Sequence, residues 1–189
     1  GEIEEGGGLS EYFMKNIEYP FFRYYLENKG KRPEPVYVFA SGSDEWQTMD
    51  VWPSDDIAFT PMYLSGGKSL STDAPSEDES SSCYVSDPHD PVPFMEDASR
   101  RDKSYMVADQ SFASARNDVL TFVSDELEET LKLEGPLKAE LEMEISSTDA
   151  DVIVKLIDVH PDGYQMLVRG EVFPARYRYS LSDPQPVEP

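Results

Sequence analysis

The sequence predicts a mainly β chain, a sandwich or jelly roll preceded by a short helix. Three observations carry that expectation. Short apolar stretches, several alternating with period two, recur from residue 33 onward; turn residues interrupt them at close intervals; and helical spacing is convincing in one early stretch only. The 189 residues suit one domain, or one domain with an attached segment. Hydrophobic residues make up 39% and aromatic residues 12%, enough for a core and too many for a disordered chain.

Residues 1–9, rich in Gly and Glu, read as a flexible acidic leader. Residues 10–31 read as linker helices. Tyr12, Phe13, Ile17, Phe21, Tyr24 and Tyr25 recur at roughly helical spacing, with an interruption expected at Pro20. Proline suits the first turn of a helix, so a new helix is expected to start there and run to a glycine cap at Gly30. The sandwich is assigned to residues 32–189. Its first strand candidate is Pro35-Val-Tyr-Val-Phe-Ala-Ser41, followed by residues 46–52 and 62–64, with breaks at Pro53, Pro61 and Gly66-Gly67. Residues 71–82 are a Ser-rich acidic loop, and residues 87–104, with Pro88, Pro91 and Pro93, an irregular connection.

The last third is the clearest strand territory. Leu137, Ala139, Leu141, Met143 and Ile145 alternate with Lys138, Glu140, Glu142 and Glu144, the pattern of a strand with one face inward. Residues 152–159 are apolar on both faces and predict a central buried strand. His160-Pro-Asp-Gly163 then makes a turn into a returning strand at 164–173, and residues 176–181 alternate again.

Charge excludes some partners. Acidic residues outnumber basic ones 38 to 16, for a formal charge of −22. Such a surface repels phosphate backbones and anionic membranes, so neither nucleic acid nor membrane is an expected partner. No apolar run reaches the length of a membrane span, and no signal peptide opens the chain, which leaves its compartment open between periplasmic or secreted and cytoplasmic. With Cys83 as the lone cysteine, neither an internal disulfide nor zinc held by paired thiolates is possible.

Catalytic signals are missing as well. A serine hydrolase needs a strained nucleophile turn such as Gly-x-Ser-x-Gly; Ser41-Gly-Ser43 and Gly42-Ser-Asp44 come nearest, and both read as strand-ending turns. His89 and His160 are each flanked by turn residues and read as loop histidines. Glu77-Asp-Glu79 and Asp149-Ala-Asp151 lack the spaced oxygens and glycine of a dedicated calcium loop. No catalytic residue, metal ligand or cofactor site is therefore assigned. Trp46 or Trp52, if exposed beside a groove, could stack on a sugar, the basis of an alternative reading as a free-standing carbohydrate-binding jelly roll.

The order of local motifs resembles one family. Tyr19-Pro-Phe-Phe-Arg-Tyr-Tyr-Leu26, Gly42-Ser-Asp-Glu-Trp46, Trp52-Pro53 and Met62-Tyr-Leu64 come first. Tyr84-Val-Ser-Asp-Pro88, Pro91-Val-Pro93, Asp109-Gln110, Asp118-Val-Leu120 and Leu127 follow, then Asp149-Ala-Asp-Val-Ile-Val-Lys-Leu-Ile-Asp-Val159, Pro161-Asp-Gly163 and Gly170. Together they look like the C-terminal part of the serine hydrolases that group cocaine esterase, α-amino-acid ester hydrolases, glutaryl cephalosporin acylases and X-Pro dipeptidyl-peptidases. The resemblance implies a galactose-binding-like jelly roll without catalytic residues. An α/β-hydrolase domain and a helical cap precede it in the family and carry the triad. Its implied partner is that hydrolase domain, of the parent protein or a neighbouring subunit, with a homo-oligomer as a further option.

The resemblance also implies strands beyond the region matching Pro184, so the sandwich is expected to lack its last strands. Ser111, Ala115 and Asn117 stand where the family often has two arginines and a proline. The residues expected at an interface are Tyr19, Phe21, Phe22, Tyr24, Tyr25, Trp46, Trp52, Asp87, Pro88, Pro91, Pro93, Asp109 and Gln110. Among them, the Tyr and Phe rings should bury an apolar face, the prolines shape a junction loop, and Asp109 and Gln110 hold backbone groups.

Overall fold

A computed structural model describes residues 8–75, 81–99 and 103–188; the acidic leader and the middle of the Ser-rich loop lie largely outside them. The chain divides into two compact units. One holds the described residues of Ile3–Pro61 with Leu127–Leu137, and the other those of Met62–Glu126 with Lys138–Pro189.

The first unit begins with helix. α1 (Leu9–Phe13) passes through a π-helical turn, Met14–Glu18, into α2 (Tyr19–Glu27). The break expected at Pro20 is thus a wider turn. Proline lacks an N–H and its ring crowds the carbonyl four residues back; the π turn just before it relieves that conflict without ending the helix. The expected cap moves too: Asn28, not Gly30, is the left-handed residue that closes α2, at φ 56°. Its N–H donates to the Tyr24 carbonyl at 3.1 Å, and that of Lys29 to the Arg23 carbonyl at 3.2 Å. Asparagine tolerates this conformation better than most residues with a side chain.

β1 (Val36–Ala40) and β2 (Glu45–Met49) form an antiparallel hairpin in which Phe39 lies opposite Trp46. In the same unit Gly135 holds φ 94°, and a Cβ there would sit 3.3 Å from both Ile57 Cδ1 and Pro53 Cβ. The left-handed backbone favours glycine, and a side chain there would press on both neighbours.

The second unit contains two further hairpins. β3 (Tyr63–Ser65) and β4 (Ser69–Ser71) pair antiparallel, and β4 bridges Val123 through the Leu70 N–H to Val123 carbonyl bond at 2.9 Å. β5 (Asp151–Val159) and β6 (Gln165–Pro174) form the longest ladder, with a bulge between Leu156 and Ile157. Their turn closes as its residues dictate. The Gly163 N–H donates to the His160 carbonyl at 2.8 Å, and the Tyr164 N–H to Asp162 Oδ1 at 3.0 Å. A single-turn helix, α3 (Ser111–Ser114), carries Ala113, one of two buried apolar side chains among the described residues; the other is Ala175.

Three strand expectations need correction. β5 is not central and buried: among the described residues β6 is its one ladder partner, and Ile153 and Val159 are half exposed. Residues 137–145 enter no ladder among the described residues, and Leu137, Leu141 and Met143 are exposed. Residues 176–181 give a 3-10 turn, Ala175–Tyr177, and irregular chain. The cause is common to all three. Alternation records which side chains share a face, but a ladder needs a neighbouring backbone in register, and that comes from elsewhere in the fold.

Candidate functional site

On α2, Phe21 and Tyr25 stand one turn apart with ring centroids at 4.7 Å. Phe22 meets Phe21 edge-on at 5.5 Å, and Tyr24 meets Tyr25 edge-on at 5.0 Å. These rings touch one another, yet Tyr19 is 61% exposed and Phe21, Phe22 and Tyr25 are about half exposed; only Tyr24 is partly covered. Leu26, 74% exposed, extends the same helix surface. Uncovered rings of this density on a short helix form an adhesive surface.

Trp46 is placed differently. Its indole stacks on Tyr12 at 5.6 Å, with Phe39 at 5.4 Å and Phe13 at 6.3 Å around it. Its Nε1 is buried and finds no acceptor among the described residues. Closed in by rings, Trp46 is a packing centre, which counts against a sugar platform there. Trp52 is exposed.

The proline-rich loop is tied down by polar contacts. Asp87 Oδ1 accepts from the His89 N–H at 2.8 Å and lies 3.2 Å from His89 Nδ1, an Asx turn around Pro88. Pro88 and Pro91 are exposed and Pro93 is half-buried. Arg116 then reaches back across the sequence. It grips both Asp118 oxygens at 2.7 Å, and its NH2 donates to the Asp90 carbonyl at 2.8 Å and the Asp90 carboxylate at 3.2 Å. The bidentate hydrogen bond from Arg116 pulls the Asp118 carboxyl below the ordinary carboxylate range, and both acids raise the guanidinium further.

Asp109 and Gln110 form the second polar node. Asp109 accepts from the Ser111 hydroxyl at 2.7 Å, the Ser111 N–H at 3.1 Å and the Gln165 N–H at 3.0 Å. Burial opposes its ionisation, but these bonds, with one from the Gln110 N–H, prevail and hold its carboxyl low. Gln110, only 2% exposed, donates its side-chain amide to the Ala108 carbonyl at 3.0 Å. Its Oε1 receives Lys155 Nζ at 2.6 Å, and its N–H joins the Gln165 carbonyl at 2.9 Å. Lys155 also lies 5.9 Å from the centre of the Phe112 ring, and burial pushes its pKa down.

Sequence reasoning named Asp109 and Gln110 but missed Lys155, Arg116 and Arg176. A signal existed for Lys155, the one basic residue of β5, set between apolar neighbours. Arg176 donates to Asp149 at 2.6 Å and to Asp151 at 3.4 Å, so the acidic pair considered for calcium is occupied by a guanidinium. The other acidic stretch, at 77–79, lies outside the described residues. Among the described residues no group of three or more His, Cys, Asp or Glu is arranged to hold a metal ion, and no helix is long and apolar enough to cross a membrane.

One unit thus carries an uncovered aromatic helix face and the other a set of salt-linked loops. The chain is similar to known proteins. The family described as X-Pro dipeptidyl-peptidase C-terminal non-catalytic domain matches residues 22–189. A cocaine esterase of Rhodococcus sp. (strain MB1 Bresler) is 34% identical over 163 residues, which cover 81% of this chain and 28% of the esterase. The crystal structure of an aminopeptidase from a marine sediment archaeon, Thaumarchaeota archaeon, superposes with a TM-score of 0.80 at 27% identity, covering 96% of this chain and 32% of that one. An α-amino acid ester hydrolase superposes with a TM-score of 0.77 at 32% identity, covering 95% and 33%. The chain therefore spans about a third or less of the length of these proteins, and its β-sandwich class is theirs over that part.

Proposed function

The chain belongs to the family of X-Pro dipeptidyl-peptidase C-terminal non-catalytic domains, and on that footing we propose that it packs on an α/β-hydrolase domain acting on ester or amide bonds and helps wall its active-site entrance. The observation that carries this reading is the uncovered aromatic face of α2. Tyr19, Phe21, Phe22 and Tyr25 are too exposed for a helix whose partner is already in place. In this reading the loop held by Asp87, Asp90 and Arg116 shapes the junction, with Pro88, Pro91 and Pro93 limiting its conformations. Trp52 adds exposed apolar surface. In this reading the Asp109–Gln110 node holds its own strand ribbon together.

The test has two parts. The purified chain should neither be labelled by a serine-reactive fluorophosphonate nor hydrolyse a generic activated ester. Mixed with the α/β-hydrolase domain of a family member lacking its own C-terminal domain, it should co-elute, and Phe21→Ser with Phe22→Ser should abolish the complex. Stoichiometric labelling of a serine in the isolated chain, or a complex indifferent to the two changes, would overturn the proposal.

A further inference from the structure

The same chain carries an electrostatic feature independent of that reading. Its formal charge is −22, with 38 acidic side chains against 16 basic ones, and several of the basic ones are held by local partners. Lys15, Lys29, Lys132, Lys138 and Arg169 each pair with an acid close by in sequence, at Glu11, Glu27, Glu134, Glu140 and Glu171. Arg116 and Arg176 each serve two aspartates. Lys155 is turned onto Gln110, and Arg178 onto the carbonyls of Ala175, Gln185 and Pro186. Acids without a basic counterpart remain in large excess.

Against this repulsion stands a small core, with Ala113 and Ala175 the buried apolar side chains among the described residues. Acids are dense in a segment that enters no ladder among the described residues. Glu140, Glu142 and Glu144 alternate there; Glu140 is paired with Lys138, and a two-residue spacing puts the others about 7 Å apart along the chain at most. The screening length decides whether such neighbours interact: it is about 10 Å at 0.1 M salt and about 3 Å at 1 M. Screening of this row begins at a few tenths molar and is complete near molar salt, and the same salt favours burial of apolar surface.

We propose that the fold is conditional on ionic strength, with roughly molar monovalent salt part of the solvent in which the domain works. Dilution loosens the acidic extended segment first, because its carboxylates are closely spaced and no ladder holds its backbone. The excess of acids over bases leaves the mobile cations of the solvent as the neutralising charge.

Thermal unfolding of the chain from 0.1 to 2 M NaCl tests this. The midpoint should keep rising through the molar range. A Glu142→Gln, Glu144→Gln variant should melt about 2 °C higher than the parent at 0.1 M and show a flatter salt dependence. A second variant, Glu126→Gln, Glu128→Gln, Glu129→Gln, should move the same way. A midpoint that is flat above 0.1 M salt overturns the proposal. So does a parental salt slope in both variants, since that assigns the salt effect to apolar burial alone.

Discussion

The aromatic unit and the ribbon unit are held together by opposite means. In the first, rings do the work: Tyr12, Phe13 and Phe39 surround Trp46, and the α2 rings lean on each other. In the second, long-range polar contacts dominate. Lys155 reaches Gln110 across 45 residues, Arg176 reaches Asp149 across 27, and Arg116 reaches Asp90 across 26. A ring cluster gains from any further apolar surface laid over it, so it stays adhesive. A satisfied polar node gains nothing from a new partner and would lose its bonds if disturbed. This contrast is why we propose α2, and not the ribbon, as the docking face.

The largest effect expected from breaking the contrast is at Trp46. Trp46→Ala should cost about 2–4 kcal/mol in denaturant unfolding, because it removes the ring on which three others rest. Trp46→Phe sharpens the point. The indole N–H is buried without an acceptor among the described residues, so its loss removes an unmet polar group. The Phe variant should fall within about 1 kcal/mol of the parent. If it were as damaging as Ala, the N–H would be making a contact, and the unit would not be held by rings alone.

Gln110→Ala is the counterpart in the ribbon unit. It strands a partly buried ammonium and two backbone groups, at a cost of about 1–3 kcal/mol. Lys155→Met made on top of it should recover part of the loss, since the unpaired charge then disappears. An additive double variant would show that the two side chains act separately and that the node is not a unit.

The smallest effect is the pH response, in which two groups of acids act in opposite directions. Hydrogen bonds to Arg116, to Arg176, and to Ser111 and the backbone place the folded pKa values of Asp118, Asp149 and Asp109 below the ordinary 3.8. Depressed folded values mean stability present above pH 3.8 and lost as pH falls through them. The excess carboxylates do the reverse, because protonation relieves their repulsion. At low salt, stability should therefore rise as pH falls from 7 toward about 4.5 and decline modestly as pH falls below 3.8. In molar salt the first rise should shrink and the acid decline remain, which melting curves across pH at both salts would reveal.

Local chemistry made part of this structure legible. The hairpin turn at His160-Pro-Asp-Gly163 closes where a Pro-Asp-Gly run should, and the early helix forms where its rings are spaced. Asp109 and Gln110 stood out through a resemblance; what they hold was invisible, because Gln165 and Lys155 lie far along the chain. The segment at 137–145 shows the limit most clearly. Its alternation is cleaner than that of β5, yet β5 is laddered and it is not.

By itself, the sequence determined the mainly β class, the charge of −22, the want of a second cysteine and the lack of a nucleophile turn. These follow from composition and from contacts a few residues long. Only the tertiary structure decided that the helix passes Pro20 by a π turn, that Trp46 is enclosed while the α2 rings stay bare, and that a guanidinium fills the Asp149 and Asp151 pair. Each of those depends on what a distant stretch brings alongside, and a side chain's surroundings are set by the whole fold, not by its neighbours in sequence.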